Sequence, residues 1–101
     1  MIVDEAFIEY CPRHSVAPDV ADHPALIVLG SLTKVLAVPG ARIGYMVADP
    51  HVTFLLSGGL YPWRLNCLAD AVAAALPGLR ADFERIRAVN EARRPPPARK
   101  D

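Results

Sequence analysis

The sequence predicts an α/β fold, and two observations carry that prediction. Ala25 to Leu29 (A-L-I-V-L) and Arg42 to Ala48 (R-I-G-Y-M-V-A) are continuous apolar runs, the pattern of strands covered on both faces by layers above and below a sheet. Later, Leu65, Leu68, Val72 and Leu76, and then Leu79, Phe83, Ile86 and Val89, recur at helical spacing. A chain of 101 residues holds one small domain and no more.

The elements follow in order. Met1 to Phe7 reads as the end of a strand running into D-E-A-F, with carboxylates where the apolar residues stop. Its lead-in of Met1, Ile2 and Val3 is shorter than the roughly 5 to 6 residues usual for a strand. Ile8 to Pro24 holds Pro12, Pro18 and Pro24 and reads as irregular, with a helical turn after Pro18. The loop from Gly30 to Ala41 contains the turn signal Pro39-Gly40. Gly44, inside the following strand, marks a close approach of another group to the backbone.

Asp49-Pro50 fits an N-cap with proline at the first helical position, and Gly58-Gly59 ends that helix. Asn66 caps the next helix and Pro77-Gly78 stops it. On the last helix Arg80 with Glu84, and Arg87 with Glu91, stand at i,i+4 on the wet side. These two final helices are expected to cover one face of the sheet. Residues 93–101 (R-R-P-P-P-A-R-K-D) have no apolar periodicity and read as a disordered tail.

Composition narrows the function classes. The chain is 52% hydrophobic and balances 11 basic against 11 acidic side chains, which removes the electrostatic case for nucleic acid or an anionic membrane surface. Cys11 and Cys67 form no close pair, and His14, His23 and His51 are scattered, so no metal site is predicted. No basic segment precedes an apolar one at the start, and no apolar run nears the roughly 18 residues of a membrane span. A reduced, cytoplasmic protein is the expectation.

The chemistry concentrates in Ser31 to Gly44, S-L-T-K-V-L-A-V-P-G-A-R-I-G. Lys34 stands three residues after Ser31, and Arg42 eight further on inside G-x-R-x-G. A pyridoxal 5'-phosphate site needs a lysine for the aldehyde, a carboxylate for the pyridine nitrogen, and hydroxyls with an arginine for the phosphate. Taken singly, Asp4 and Glu5 are ordinary strand-end carboxylates, Lys34 a solvated lysine and Arg42 a surface ion-pair partner. The joint pattern of Asp4, Ser31, Lys34, Gly40, Arg42 and Gly44 is what points to the cofactor.

D-E-A-F at Asp4 to Phe7, S-L-T-K at Ser31 to Lys34 and P-G-A-R-I-G-Y at Pro39 to Tyr45 resemble the large domain of fold type I, class I/II aminotransferases. Within that superfamily the chain resembles the branch of histidinol-phosphate aminotransferase and the threonine-phosphate decarboxylase of cobalamin biosynthesis, and D-E-A-F and Y-P-W-R-L-N-C-L-A-D-A look like the cobalamin members. The resemblance covers residues 1–92. It implies an α/β fragment of a mostly parallel-sheet large domain that binds pyridoxal 5'-phosphate, acts on a small amino acid or its phosphate, and belongs to homodimeric enzymes.

Residue by residue, the resemblance makes Lys34 the Schiff-base lysine and proton shuttle and sets Asp4 on the pyridine nitrogen. Ala6 packs on the ring, Ser31 and Arg42 hold the phosphate, and Thr33 adds a hydroxyl. Two positions depart from the family. Phe7 stands where a tyrosine often bonds the cofactor's phenolic oxygen, and Gly30 where many relatives have an arginine.

The resemblance further implies a truncated chain that lacks the glycine-containing phosphate loop, the ring-stacking aromatic and the small domain. It places another strand between the one ending in Asp4 and the one before Lys34. Beside the aminotransferase or decarboxylase reading stand two others: the detached effector domain of a transcription regulator, and a non-catalytic remnant that folds against a partner.

Overall fold

The computed structural model describes residues 1–96. Three strands form one sheet in the order β1 (Ile2–Glu5), β2 (Ile27–Ser31), β3 (Gly44–Ala48). Helices α1 (Pro50–Ser57), α2 (Cys67–Ala75) and α3 (Arg80–Arg93) follow, and short 3-10 turns fill Ile8–Tyr10, Pro12–His14, Ala17–Ala21 and Pro39–Ala41. Residues 97–101, most of the expected tail, lie outside the described residues. Among the described residues no helix is long and apolar enough to cross a membrane.

The α/β expectation holds, with corrections to the sheet. β1 pairs directly with β2 in parallel, Asp4 opposite Leu29, so no strand stands between the segment ending in Asp4 and the one leading to Lys34. β3 runs antiparallel to β2, Ser31 opposite Gly44, so the sheet is mixed and not mostly parallel. Arg42 lies outside β3, in a left-handed conformation (φ 51°) that closes the Pro39–Ala41 turn.

Alternation along the strands sorts side chains to two faces. Val3, Val28 and Val47 form one row, and Val28 is fully buried, packed with Leu26 against Val20 of the Ala17–Ala21 turn. Ile2, Asp4, Leu29 and Met46 point the other way. Ile2 is 66% exposed and Leu29 40%, so this face is not covered as the continuous apolar runs imply.

The two last helices pack elsewhere than expected. α2 lies on the Pro39–Ala41 turn and α3 on Ile8–Tyr10. Between them Leu32, Val35, Ala41, Ile43 and Ala69 are buried together, with Val72, Leu76, Phe83 and Ile86 against them. The lysine loop, not a strand face, is therefore what the helices cover. The buried face of α2 centres on Ala69, with no exposed area, while Leu65 and Leu68 of the predicted stripe stand outside it.

Both predicted caps form: the Asp49 carboxylate accepts from His51 N–H, and the Asn66 side-chain oxygen from Ala69 N–H. Asn66 Nδ2 also donates to the Ala41 carbonyl at 3.0 Å, tying the start of α2 to the residue before Arg42. Gly44 is needed for the reason its place in a strand predicts, since a Cβ there would sit 2.8 Å from the Gly30 carbonyl oxygen.

The radius of gyration is 16.0 Å, against about 13 Å for a compact domain of this length. Tyr61 and Trp63 are nine-tenths exposed and Phe54 three-quarters, so none of these aromatics belongs to the core.

Candidate functional site

Parallel pairing brings the C-terminal ends of β1 and β2 side by side, the end of an α/β sheet at which ligands are bound. Asp4-Glu5-Ala6-Phe7 leaves one strand there and Ser31-Leu32-Thr33-Lys34 the other. The chain then winds through a compact turn, in which Leu36 N–H donates to the Leu32 carbonyl and Val38 N–H to that of Thr33. Leu32 N–H donates to the Ile43 carbonyl at 3.1 Å, continuing the ladder and bringing Arg42 back beside the loop.

The predicted residues fall into groups. Lys34 Nζ stands 5.1 Å from the centroid of the Phe7 ring, a cation–π contact joining the two motif segments. Ser31 Oγ and Thr33 Oγ1 are 2.8 Å apart and half-buried. Arg42 is exposed, and neither its guanidinium nor the Lys34 amine forms a hydrogen bond or ion pair among the described residues. The Asp4 carboxylate accepts from Ala6 N–H at 2.9 Å, which fixes the turn after β1, and Ala6 is half-buried.

An open cleft of about 520 Å³ beside the end of β1 is lined by Asp4, Ala6, Phe7, Cys11 and His14 among others. Ser31, Lys34 and Arg42 do not line it, so this cleft gathers only one side of the predicted constellation. The chemistry of these groups nonetheless suits a phosphate-bearing aldehyde: paired hydroxyls, a guanidinium and an amine without hydrogen-bond or ion-pair partners among the described residues, and a carboxylate at the strand end.

Two acidic residues outside the predicted site set, Glu5 of the D-E-A-F segment and Glu9, hold the structure around it. Glu5 is buried, and its carboxylate accepts from Ser15 Oγ–H at 2.8 Å and Val16 N–H at 2.7 Å. Glu9 accepts from Arg87, whose Nη2 lies 2.9 Å from Oε2 and whose Nε donates to the Glu9 carbonyl at 2.7 Å. Arg87 therefore pairs across the fold with Glu9 and not with Glu91 on its own helix. The other ion pair among the described residues joins Arg85 to Asp82. Nothing in the local spacing signals the Glu9 pair.

Gly30 owes its identity to Tyr45. The two are opposite one another on β2 and β3, and a Cβ on Gly30 would come within 2.1 Å of the Tyr45 ring. The ring thus occupies the space above the glycine, and its hydroxyl donates to Glu9 Oε1 at 3.3 Å.

Burial, then the negative charge of Glu9 and its hydrogen bond, then the charge of Glu5, push the Tyr45 hydroxyl above its ordinary value of 10.0. The native state thus favours the protonated phenol. Its contribution to stability is complete below pH 10.0 and is lost as pH rises through the elevated native value. Denaturation followed from pH 9 to 11 should show that loss in the wild-type chain and a smaller one in Tyr45→Phe.

The sequence model of a family described as "Aminotransferase class I and II" matches residues 1–94. A histidinol-phosphate aminotransferase of Pectobacterium atrosepticum is 39% identical over 77 residues, 75% of this chain and 22% of that protein. One from Salmonella arizonae is 35% identical over 96 residues, 92% of this chain and 27% of that protein. A third, from Sodalis glossinidius, is 37% identical over 93 residues, 89% of this chain and 26% of that protein. The chain spans about a quarter of the length of these curated relatives.

Proposed function

The chain belongs to the class I and II aminotransferase family, and on that premise we propose that it carries the cofactor-anchoring part of a pyridoxal-phosphate-dependent aminotransferase. The observation that carries this reading is the contact of Lys34 with Phe7 at the adjoining ends of β1 and β2, which sets the D-E-A-F and S-L-T-K segments at one place.

When bound, pyridoxal phosphate supplies a protonated ring that accepts electrons from the substrate's reacting carbon. The chain's residues supply the rest. Lys34 Nζ would hold the group through its aldehyde and, when free, would take and return a proton at the substrate carbon. The Asp4 carboxylate would keep the ring nitrogen protonated, and Ala6 and Phe7 would border the ring. Ser31, Thr33 and Arg42 would hold the phosphate, the guanidinium supplying charge-assisted hydrogen bonds.

The named relatives are histidinol-phosphate aminotransferases, so the substrate class we propose is a small phosphorylated amine. Those names favour transamination over the decarboxylation that the cobalamin-like letters suggest.

Purified chain titrated with pyridoxal phosphate should develop the long-wavelength absorbance of lysine-bound cofactor, and Lys34→Ala should not. Equal spectra from the two proteins would refute the reading.

A second reading, a chain that works only against a partner polypeptide, is favoured by the exposure of Ile2, Phe54, Tyr61 and Trp63. A cooperative thermal transition in a monomer, seen by circular dichroism and sizing, would exclude it.

A further inference from the structure

We propose that Tyr45, Glu9 and Arg87 form a positioning brace that holds the Phe7–Tyr10 turn against the lysine loop and thereby sets the Phe7 ring beside Lys34. The inference rests on the proposed role of Lys34.

Phe7 is 60% exposed, so burial does not fix its ring. What fixes it is the backbone turn that carries it, in which Tyr10 N–H donates to the Phe7 carbonyl at 3.1 Å. Glu9 sits within that turn and is held from two directions. α3 holds it through Arg87, which donates both to its carboxylate and to its main-chain carbonyl, the second bond pinning the backbone itself. β3 holds it through the Tyr45 hydroxyl. The tyrosine can reach because Gly30 leaves room for its ring on the sheet.

The opposite end of the turn touches the lysine loop directly. The Tyr10 hydroxyl donates to the Lys34 carbonyl at 3.4 Å, and the Tyr10 ring packs on the Leu32–Val35–Ala41–Ile43 cluster. One short turn therefore links α3, β3 and the lysine loop, with Phe7 at its start. A cation–π contact at an exposed site is too weak to order a loose phenylalanine, so the ring must be delivered by the backbone. These three residues touch no reacting atom. They act through Phe7 and Lys34.

Two readouts test the brace. In the ligand-free protein, the Lys34 side-chain ε resonances should be displaced by the Phe7 ring current, as verified by their return in Phe7→Leu. Tyr45→Phe, which keeps the ring over Gly30 and deletes only the hydroxyl, and Arg87→Met should both reduce that displacement, with Arg87→Lys between Met and wild type. In borohydride trapping, the pyridoxal phosphate concentration that half-saturates Lys34 should rise about fivefold in Tyr45→Phe and about tenfold in Arg87→Met. Variants with a lower thermal midpoint but an unchanged Lys34 displacement and half-saturation would overturn the proposal, leaving the network a purely structural one. Absence of wild-type trapping at Lys34 would refute the cofactor reading, while the ligand-free resonances would still decide the brace.

Discussion

Replacing Glu5 by alanine will destabilise the chain by about 2 to 3 kcal/mol, because two donors lose a charged acceptor that is itself largely buried at the edge of the cleft. The Glu5 carboxylate is the one buried charged group among the described residues, and it holds Ser15 Oγ–H and Val16 N–H at 2.8 and 2.7 Å. Ser15 Oγ in turn accepts from Ala17 N–H, so one carboxylate orders the entry to the Ala17–Ala21 turn. That turn delivers Val20 onto Val28, the centre of the sheet's covered face. A loss of this size is a large fraction of the roughly 5 to 15 kcal/mol that stabilises an ordinary domain. Urea denaturation followed by circular dichroism should show a much lower midpoint for Glu5→Ala, with Glu5→Gln between the two because it keeps an acceptor. A change below about 1 kcal/mol would mean that water replaces the carboxylate and that Val20 alone holds the turn.

Asp4→Asn will weaken pyridoxal phosphate binding by about tenfold to a hundredfold with little change in stability, since a hydrogen bond between charged groups becomes a neutral one. Asparagine is the informative substitution. Asp4 also accepts from Ala6 N–H, and the amide oxygen can keep that bond, so the turn after β1 persists while the charge proposed for the ring nitrogen is lost. Asp4→Ala removes both and should add a stability defect. Binding by Asp4→Asn as tight as in the wild type would remove Asp4 from the cofactor site and leave it a turn-former.

The sequence made the local elements legible, because each rests on short-range rules. Asp49-Pro50 and Asn66 cap the helices they precede, and Gly44 lies where another backbone crowds it. Strand direction was not legible, since A-L-I-V-L and R-I-G-Y-M-V-A carry no sign of orientation. It is settled by the Leu32–Ile43 bond, which folds the intervening loop back on itself. Nor could spacing find the Arg87–Glu9 pair, whose partners stand 78 residues apart, when Glu91 offered itself at i,i+4.

The candidate site divides in the same way. Lys34, Ser31 and Arg42 could be picked out by motif, and Gly30 noticed as a departure. The reason for Gly30 lies across the sheet in Tyr45, and the setting of Phe7 depends on Glu9, which no motif contains. Leu29 shows the limit of hydrophobic patterning: an apolar run predicts that a face is suited to burial, and nothing among the described residues covers this one.

The most direct test of the central claim, that Lys34 is the cofactor's anchor, is to reduce the wild-type chain with borohydride in limiting pyridoxal phosphate and map the modified peptide by mass spectrometry. One adduct per chain is expected, on Lys34 in the segment Ser31 to Arg42. An adduct on Met1's amine or Lys100, with Lys34 unmodified, would contradict it.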